Sequence, residues 1–316
     1  MIVVAGASGF VGRHLVRRLV DAGRPVRQGT RAAGRPDEPG APWVVFDVDS
    51  GDGLDLALTG ADALVYLVHS LAHRGPDLIA REEASAERVR SAAERAGVRR
   101  IVYLGGPWPA GEPSVHLRAR LRTGEVLRAG SVSTVELRAS MIVGAGSESW
   151  QMCRDLALRL PVMVLPRWLA TRTQPIGIDD VGEALLAAID LPLVGSAAFD
   201  LPGPEVLTAR QILERIAARS GFRPVMVPVP VLTPRLSSWW LRFVTRADTG
   251  VARQLVDGLT SDLVAADEGF WRHLPGRSPT PFDEVVERAL ADEGPSPRWE
   301  RWARRLGRPL PDRRSM

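Results

Sequence analysis

Three glycines spaced three apart, Gly6, Gly9 and Gly12, constrain what this chain can fold into more than any other feature of its sequence. The apolar run Ile2-Val3-Val4-Ala5 leads into them, and an amphipathic segment, His14 to Ala22, follows at once. A strand, a tight turn and a helix satisfy that order. Gly6 permits the sharp exit from the strand, Gly9 lets backbone come close to a ligand, and Gly12 lets the helix pack against the strand. The first N–H groups of a helix have no partner inside it and its dipole is positive there, so the turn predicts a pyrophosphate cradle. Gly6, Ser8, Gly9, Phe10, Val11, Gly12 and Arg13 are its candidate contacts. The spacing is one residue longer than the Gly-x-Gly-x-x-Gly of dinucleotide-binding folds; the position between strand and helix carries the reading.

Strand and helix signals alternate behind this turn, which predicts a parallel sheet with crossover helices. Strands are expected at Pro25 to Gly29, Trp43 to Phe46, Ala63 to Val68, Arg100 to Leu104 and Thr134 to Leu137. Helices are expected from Pro76 to Ala96 and from a Ser114 cap to Ala129. Beyond Val143 the alternation weakens. A helix over Trp150 to Leu160 precedes an irregular apolar segment, Pro161 to Pro175. Asp179 is expected to cap a helix through Ile189, Ala198 to Leu201 to form a strand, and Thr208 to cap a helix stopped by Gly221. The alternating Val and Pro of Pro224 to Pro234 suit an extended edge; Trp239 to Val244 is an aromatic helical patch, and Thr280-Pro281 opens a last helix to Asp292. The expected fold is α/β, a Rossmann-type doubly wound parallel sheet with a smaller C-terminal substrate lobe. Residues 1–145 form the NAD(P)-binding core, 174–202 return to it, and 146–316 are mainly substrate or lid lobe and C-terminal tail.

Of the chain's 316 residues, 41 are basic and all of these are arginine; there is no lysine. The net charge of +4 therefore carries little weight as a sign of nucleic-acid binding, since the arginines alternate with Asp and Glu along expected helices. No apolar run is long enough to span a membrane. The opening strand argues against a secretory signal, and the single cysteine, Cys153, fits a reducing, cytoplasmic location. No Gly-x-Ser-x-Gly elbow points to a hydrolase, and no histidine or cysteine spacing points to a metal.

Dinucleotide sites selective for NAD carry an acid at the end of the second strand. The corresponding stretch here is Arg27-Gln28-Gly29-Thr30-Arg31, without one. Arg31 and Arg13 suit a 2′-phosphate, so NADP(H) is favoured over NAD(H). Asp47, just past the third strand, reads either as an acceptor for the adenine amino group or as a loop-opening aspartate. His69 and Ser70 follow the fourth strand, where such a fold places residues against the ribose or nicotinamide.

The segments Gly6 to Gly12, Asp47, Tyr66 to Ser70, Gly97 to Gly106 and Leu137-Arg138-Ala139-Ser140 resemble an atypical short-chain dehydrogenase/reductase of the NmrA-like, NAD(P)H-binding type. Arg159 to Met163, Pro166-Arg167-Trp168, Thr173-Gln174-Pro175-Ile176 and Asp179-Asp180-Val181 are similar to the same subgroup. In active relatives a helix tyrosine moves the proton, and a lysine four residues later lowers its pKa and holds the ribose. This chain has no lysine, and its tyrosines, Tyr66 and Tyr103, fall on expected strands. His116 and Arg120 stand in the corresponding helix at i, i+4, on one face. The serine that often follows the fifth strand is replaced by Gly105-Gly106-Pro107. Two readings follow: an oxidoreductase of unknown substrate in which His116 gives the proton and Arg120 clamps the ribose, or a non-catalytic dinucleotide-binding sensor or regulatory protein. Trp150, Trp168, Trp239 and Trp240 read either as an aromatic substrate pocket or as lobe core or an oligomer interface; His14 and His273 read as surface residues.

Overall fold

The computed structural model describes residues 1–35, 39–69, 77–159, 162–166, 170–222, 224–229 and 261–294. The first half of the chain contains β1 (Ile2–Ala5), α1 (Phe10–Asp21), β2 (Val26–Thr30), β3 (Trp43–Val45), α2 (Leu54–Leu58), β4 (Ala63–Tyr66), α3 (Leu78–Arg95), β5 (Arg100–Gly105), α4 (Val115–Arg128) and β6 (Ser133–Arg138). The second contains β7 (Ile142–Val143), α5 (Glu148–Arg159), β8 (Val162–Pro166), β9 (Arg172–Thr173), β10 (Ile176–Gly177), α6 (Ile178–Asp190), β11 (Ala197–Asp200), β12 (Leu207–Thr208), α7 (Ala209–Arg219), β13 (Val225–Val229) and α8 (Phe282–Asp292). These elements form two compact units. One comprises Met1–Ser140, Ile178–Pro202 and Leu263–Pro279; the other comprises Met141–Gly177, Gly203–Asp262 and Thr280–Met316.

The first unit is built on a seven-stranded parallel sheet in the order β11-β6-β5-β4-β1-β2-β3, a Rossmann-type α/β fold. Strand order reverses at β1, which lies between β2 and β4, so a crevice opens at the carboxyl ends of β1 and β4. Val3, Leu64, Tyr66, Ile101 and Tyr103 from the strands share a buried cluster with Ala86, Val89 and Ala93 of α3 and Leu127 of α4. The small alanines of α3 let that helix lie close to the sheet; each larger aliphatic or aromatic group removed from water contributes about 1.5–3 kcal/mol.

A carboxylate is buried in the same layer. Glu136 of β6 has no exposure and receives Arg128 Nε at 2.8 Å and Arg138 Nε at 2.9 Å. Its place depends on Gly124 of α4, where an added Cβ would stand 2.5 Å from the Glu136 carboxyl carbon. The two cations offset the desolvation of the carboxylate, so removing one partner is far more harmful than the pair is beneficial.

The second unit contains three two-stranded sheets: β7 with β10 and β8 with β13 in parallel, and β9 with β12 antiparallel. Its apolar cluster joins Trp150 of α5, Ile212 and Ile216 of α7, and Phe282 and Val286 of α8. Trp150 is fully buried and donates from Nε1 to Glu293 at 2.9 Å, so this tryptophan is core. Thr208 begins α7 with a reciprocal cap: its hydroxyl accepts from Gln211 N–H at 3.1 Å, and Gln211 Oε1 accepts from Thr208 N–H at 2.8 Å.

Where the structure departs from the sequence expectations, tertiary partners decide. The segment expected to be irregular contains β8 and β9, each held by a strand distant in sequence. Asp179 lies inside α6 instead of capping it, drawn to Arg18 at 3.1 Å. The five-residue α2 is too short to announce itself by periodicity. Trp168 and the Trp239 to Val244 patch lie outside the described residues.

The Gly124–Glu136 contact makes a prediction opposite to helix propensity. Alanine is worth about 1 kcal/mol more than glycine in an open helix, but overpacking a core typically costs ~1–3 kcal/mol. Gly124→Ala is expected to lose about 2 kcal/mol in urea unfolding; a variant as stable as the parent or more so contradicts the close approach.

Candidate dinucleotide site

The glycine turn is built as tightly as its spacing implies. Gly6 has φ +85°, a conformation that side chains resist, and an added Cβ would touch the Leu67 backbone at 3.0 Å. Gly12 is closer still: a Cβ there would lie 2.2 Å from the Gly6 carbonyl oxygen and 2.7 Å from Ala7 Cα. Gly9 N–H donates to Gly6 O at 3.0 Å, and Gly9 O receives Arg13 N–H at 3.0 Å as α1 begins. Gly9 occupies the N-cap of α1 with no side-chain cap, and the first turn carries no acid. The start of α1, with Phe10, Val11 and Gly12, is thus left for an external anion, and the cradle fits a dinucleotide pyrophosphate. Ser8 is half-buried; Arg13 is exposed and folds back so that its guanidinium donates to the Ser8 carbonyl.

At the end of β2, Gly29 packs under Phe46, whose ring would stand 2.5 Å from a Cβ at that position. Arg27 is turned away, donating to the carbonyls of Ala57 at 3.1 Å and Thr59 at 2.8 Å. Arg31 is exposed, the middle residue of a turn in which Ala32 N–H donates to Thr30 Oγ1 at 3.1 Å. Sequence reasoning missed its acidic neighbour, Asp49. Burial opposes ionisation of Asp49, but hydrogen bonds from Arg81 and Ser85, the charge of Arg81 and that of Arg31 hold its carboxyl below the usual range. Asp47 organises the adjacent loop, its Oδ1 accepting from Asp49 N–H at 2.7 Å.

On the other side of the crevice, Leu67 N–H continues the ladder to Ala5 O at 3.0 Å, and His69 follows two residues later. Ser70 lies outside the described residues. Burial pulls the His69 pKa down to about 3, helped by the Arg120 charge and opposed by a backbone hydrogen bond at Leu67. His69 is therefore a neutral imidazole at physiological pH. Arg120 itself donates from Nη2 to Gly105 O at 2.9 Å, and its Nε is buried without an acceptor among the described residues. The side chain is anchored on the carboxyl end of β5; next to it Gly106 leaves room for Leu117 of the same helix, whose Cδ1 would stand 2.5 Å from an added Cβ. His116, the second residue of α4, is half-buried; α4 begins at Ser114, whose hydroxyl accepts from Leu117 N–H at 3.3 Å.

Both tyrosines are buried in the sheet layer, with rings 5.9 Å apart. Burial pushes the Tyr66 phenol well above its ordinary pKa, aided by Glu82, and raises Tyr103 in the same way. Tyr103 instead fixes α4, donating to the Arg120 carbonyl at 3.0 Å. His14 is half-buried and accepts from Arg18 Nε at 2.9 Å, which corrects its reading as a plain surface residue. His273 is exposed and meets the Phe199 ring edge-on at 4.8 Å.

A neutral His69 ties stability to pH. Its pKa is lower folded than unfolded, so the unfolded chain binds the extra proton, and stability falls as pH drops below 6.5 toward about 3. The His69 contribution is up to about 1.4 kcal/mol per pH unit. Urea titrations between pH 7 and 5 are expected to show a shallower pH dependence in His69→Gln than in the parent; equal slopes contradict the buried neutral state.

Comparison with known proteins places this geometry. Residues 6–141 match the NAD(P)H-binding family. The chain is 28% identical over 241 residues to a ceramide reductase of Caulobacter vibrioides, covering 73% of this chain and 74% of that protein. It is 31% identical over 230 residues to the (4-alkanoyl-5-oxo-2,5-dihydrofuran-3-yl)methyl phosphate reductase of Streptomyces griseus, covering 71% and 75%. It also aligns with an uncharacterized protein of Mycobacterium tuberculosis, of which it spans 24%. The crystal structure of gox2253 shares the fold at 21% identity, with a TM-score of 0.68 over 98% of this chain and 99% of that one. The chain belongs to the NAD(P)H-binding family of atypical short-chain dehydrogenases/reductases.

Proposed function

We propose that the chain is an NADP(H)-dependent reductase in which Arg120 replaces the family lysine and His116 its tyrosine. The observation that carries the reading is Arg120: its guanidinium is anchored at the carboxyl end of β5, acts on the charge state of His69, and keeps a buried N–H without an acceptor among the described residues. A fixed cation there suits the nicotinamide ribose and the oxygen on which negative charge develops.

Bound NADPH supplies hydride. The chain's own residues hold and orient. The N–H groups at Phe10, Val11 and Gly12 take the pyrophosphate, with Gly6, Ser8 and Gly9 shaping the turn. Arg13 and Arg31 bind the 2′-phosphate, each charge-assisted hydrogen bond contributing about 1.5–3 kcal/mol. Asp47 uses Oδ2, the oxygen not engaged in its turn, for the adenine amino group. His69 and Ser70 lie against the ribose or nicotinamide. His116 delivers the proton, imidazole being the side chain whose ordinary titration suits that work near neutrality. The buried phenols cannot substitute for it.

The reductase relatives act, by their names, on a ceramide and on an alkanoyl-bearing furanone phosphate. An apolar carbonyl or enoyl substrate is the corresponding inference here, supported by Trp108 in the connection before α4 and Val115 at its first position, 57% and 54% exposed. A second reading, a dinucleotide sensor without turnover, draws support from the neutral His69 and the buried phenols, which leave little acid chemistry beside His116. The single cysteine, Cys153, supports a reducing, cytoplasmic location.

Two measurements test these readings. In fluorescence titration NADPH is expected to bind at least ten-fold more tightly than NADH, and Arg31→Ala to reduce that preference; the reverse preference overturns the assignment of Arg13 and Arg31. Gly9→Asp places a favourable N-cap on α1 but a carboxylate in the cradle. It is expected to keep or raise the melting temperature while weakening NADPH binding more than 100-fold, and unchanged affinity refutes the cradle. A carbonyl and enoyl panel then separates the two readings: turnover lost in His116→Ala and Arg120→Gln supports the reductase, whereas tight NADPH binding without turnover supports the sensor.

A further inference from the structure

At the amino ends of the same strands, opposite the dinucleotide crevice, lies a cavity of about 390 Å³. It is walled by Arg24, Asp62, Arg99, Arg100, Asp190 and Leu191, at the starts of β2, β4 and β5 and the end of α6. Its two carboxylates are already matched. Arg24 holds Asp190 through two hydrogen bonds of 2.6 and 3.1 Å, while Asp62 receives the Met1 amino group at 2.7 Å and Arg99 at 3.2 Å. Among the described residues Arg100 has no carboxylate in hydrogen-bonding reach: its guanidinium donates there to neutral oxygens, Ser133 Oγ at 2.8 Å and the Leu191 carbonyl at 2.6 Å.

Three guanidinium groups thus line a space that holds two carboxylates, and the unmatched one is fixed in place by the end of α6. Burial and the neighbouring Arg99 charge disfavour the Arg100 cation and the Asp190 charge offsets them only in part, so an anion between Arg99 and Arg100 relieves a cost the fold already bears. Arg99 is 78% exposed and has donors to spare beyond its single bond to Asp62. The volume exceeds that of an inorganic oxyanion and accommodates a phosphorylated small molecule.

We propose that this cavity is a second anion site, separate from the dinucleotide cradle, that binds a phosphate monoester through Arg99 and Arg100. Planar guanidinium forks match phosphate oxygens in two-point contacts, and the strands that end in the glycine turn and His69 begin at this cavity. The site stands independently of the reductase reading, because it uses none of the residues assigned to cofactor or proton transfer.

Isothermal titration with glucose 6-phosphate, with glucose as the uncharged control, tests it on the full chain. Saturable binding is expected for glucose 6-phosphate alone, in the parent and equally in Gly9→Asp, whose dinucleotide cradle is blocked. The double variant Arg99→Gln/Arg100→Gln is expected to bind at least ten-fold more weakly. Should circular dichroism show that this variant does not fold, Arg99→Gln decides, since its side chain is exposed; at least a three-fold loss is expected there. No saturable heat, loss of binding in Gly9→Asp, or unchanged affinity in the folded arginine variants overturns the proposal.

Discussion

The close approach of α1 to its own turn, with Gly12 set against the Gly6 carbonyl, is the constraint on which the first unit depends. It lets a helix start within four residues of a buried strand and leaves its first turn free of side-chain caps. The same turn lies against Leu67 just past β4, so backbone contacts at Leu67, continuing the β1–β4 ladder, tie the glycine turn to the His69 side of the crevice. Strand order does the rest: β2 and β4 flank β1 on opposite sides, and the crevice opens where their crossovers diverge.

With no lysine in the chain, the proposed chemistry turns on arginine. A lysine is a mobile point charge with a tunable pKa, whereas a guanidinium is planar and stays charged. Arg120 accordingly works as a fixed cation pinned to the Gly105 carbonyl, and its helix is held by Tyr103 from the sheet and by the buried Glu136 beneath Gly124. Tyr103 has become a structural hydrogen-bond donor to α4. The pairing of Arg120 with a neutral His69 sets this site apart from a phenol and lysine arrangement.

Much of the fold was legible because β1, β4 and β5 are short apolar runs between turn signals and the long helices of the first unit carry an apolar face. Ser114 and Thr208 caps, Gly97 after α3 and Gly221 after α7 are local chemistry and need no partner to be recognised. Legibility failed where pairing is remote. The strands β8 and β9 lie in a proline-bearing apolar stretch whose extended form is selected by β13 and β12, roughly 60 and 35 residues further along the chain. Asp179 looked like a cap because aspartate prefers that place, but Arg18 on another helix competes for its carboxylate.

The linear order of residues suffices for the glycine turn, the NAD(P)H-binding class and the impossibility of a lysine mechanism, since these rest on neighbours a few positions apart or on composition. It does not say that Arg31 stands near Asp49, that Arg120 presses on His69, or that Arg24, Arg99 and Arg100 gather at one cavity. Those meetings join residues from different crossovers, and electrostatic coupling depends on distance and burial, which the folding of a parallel sheet creates.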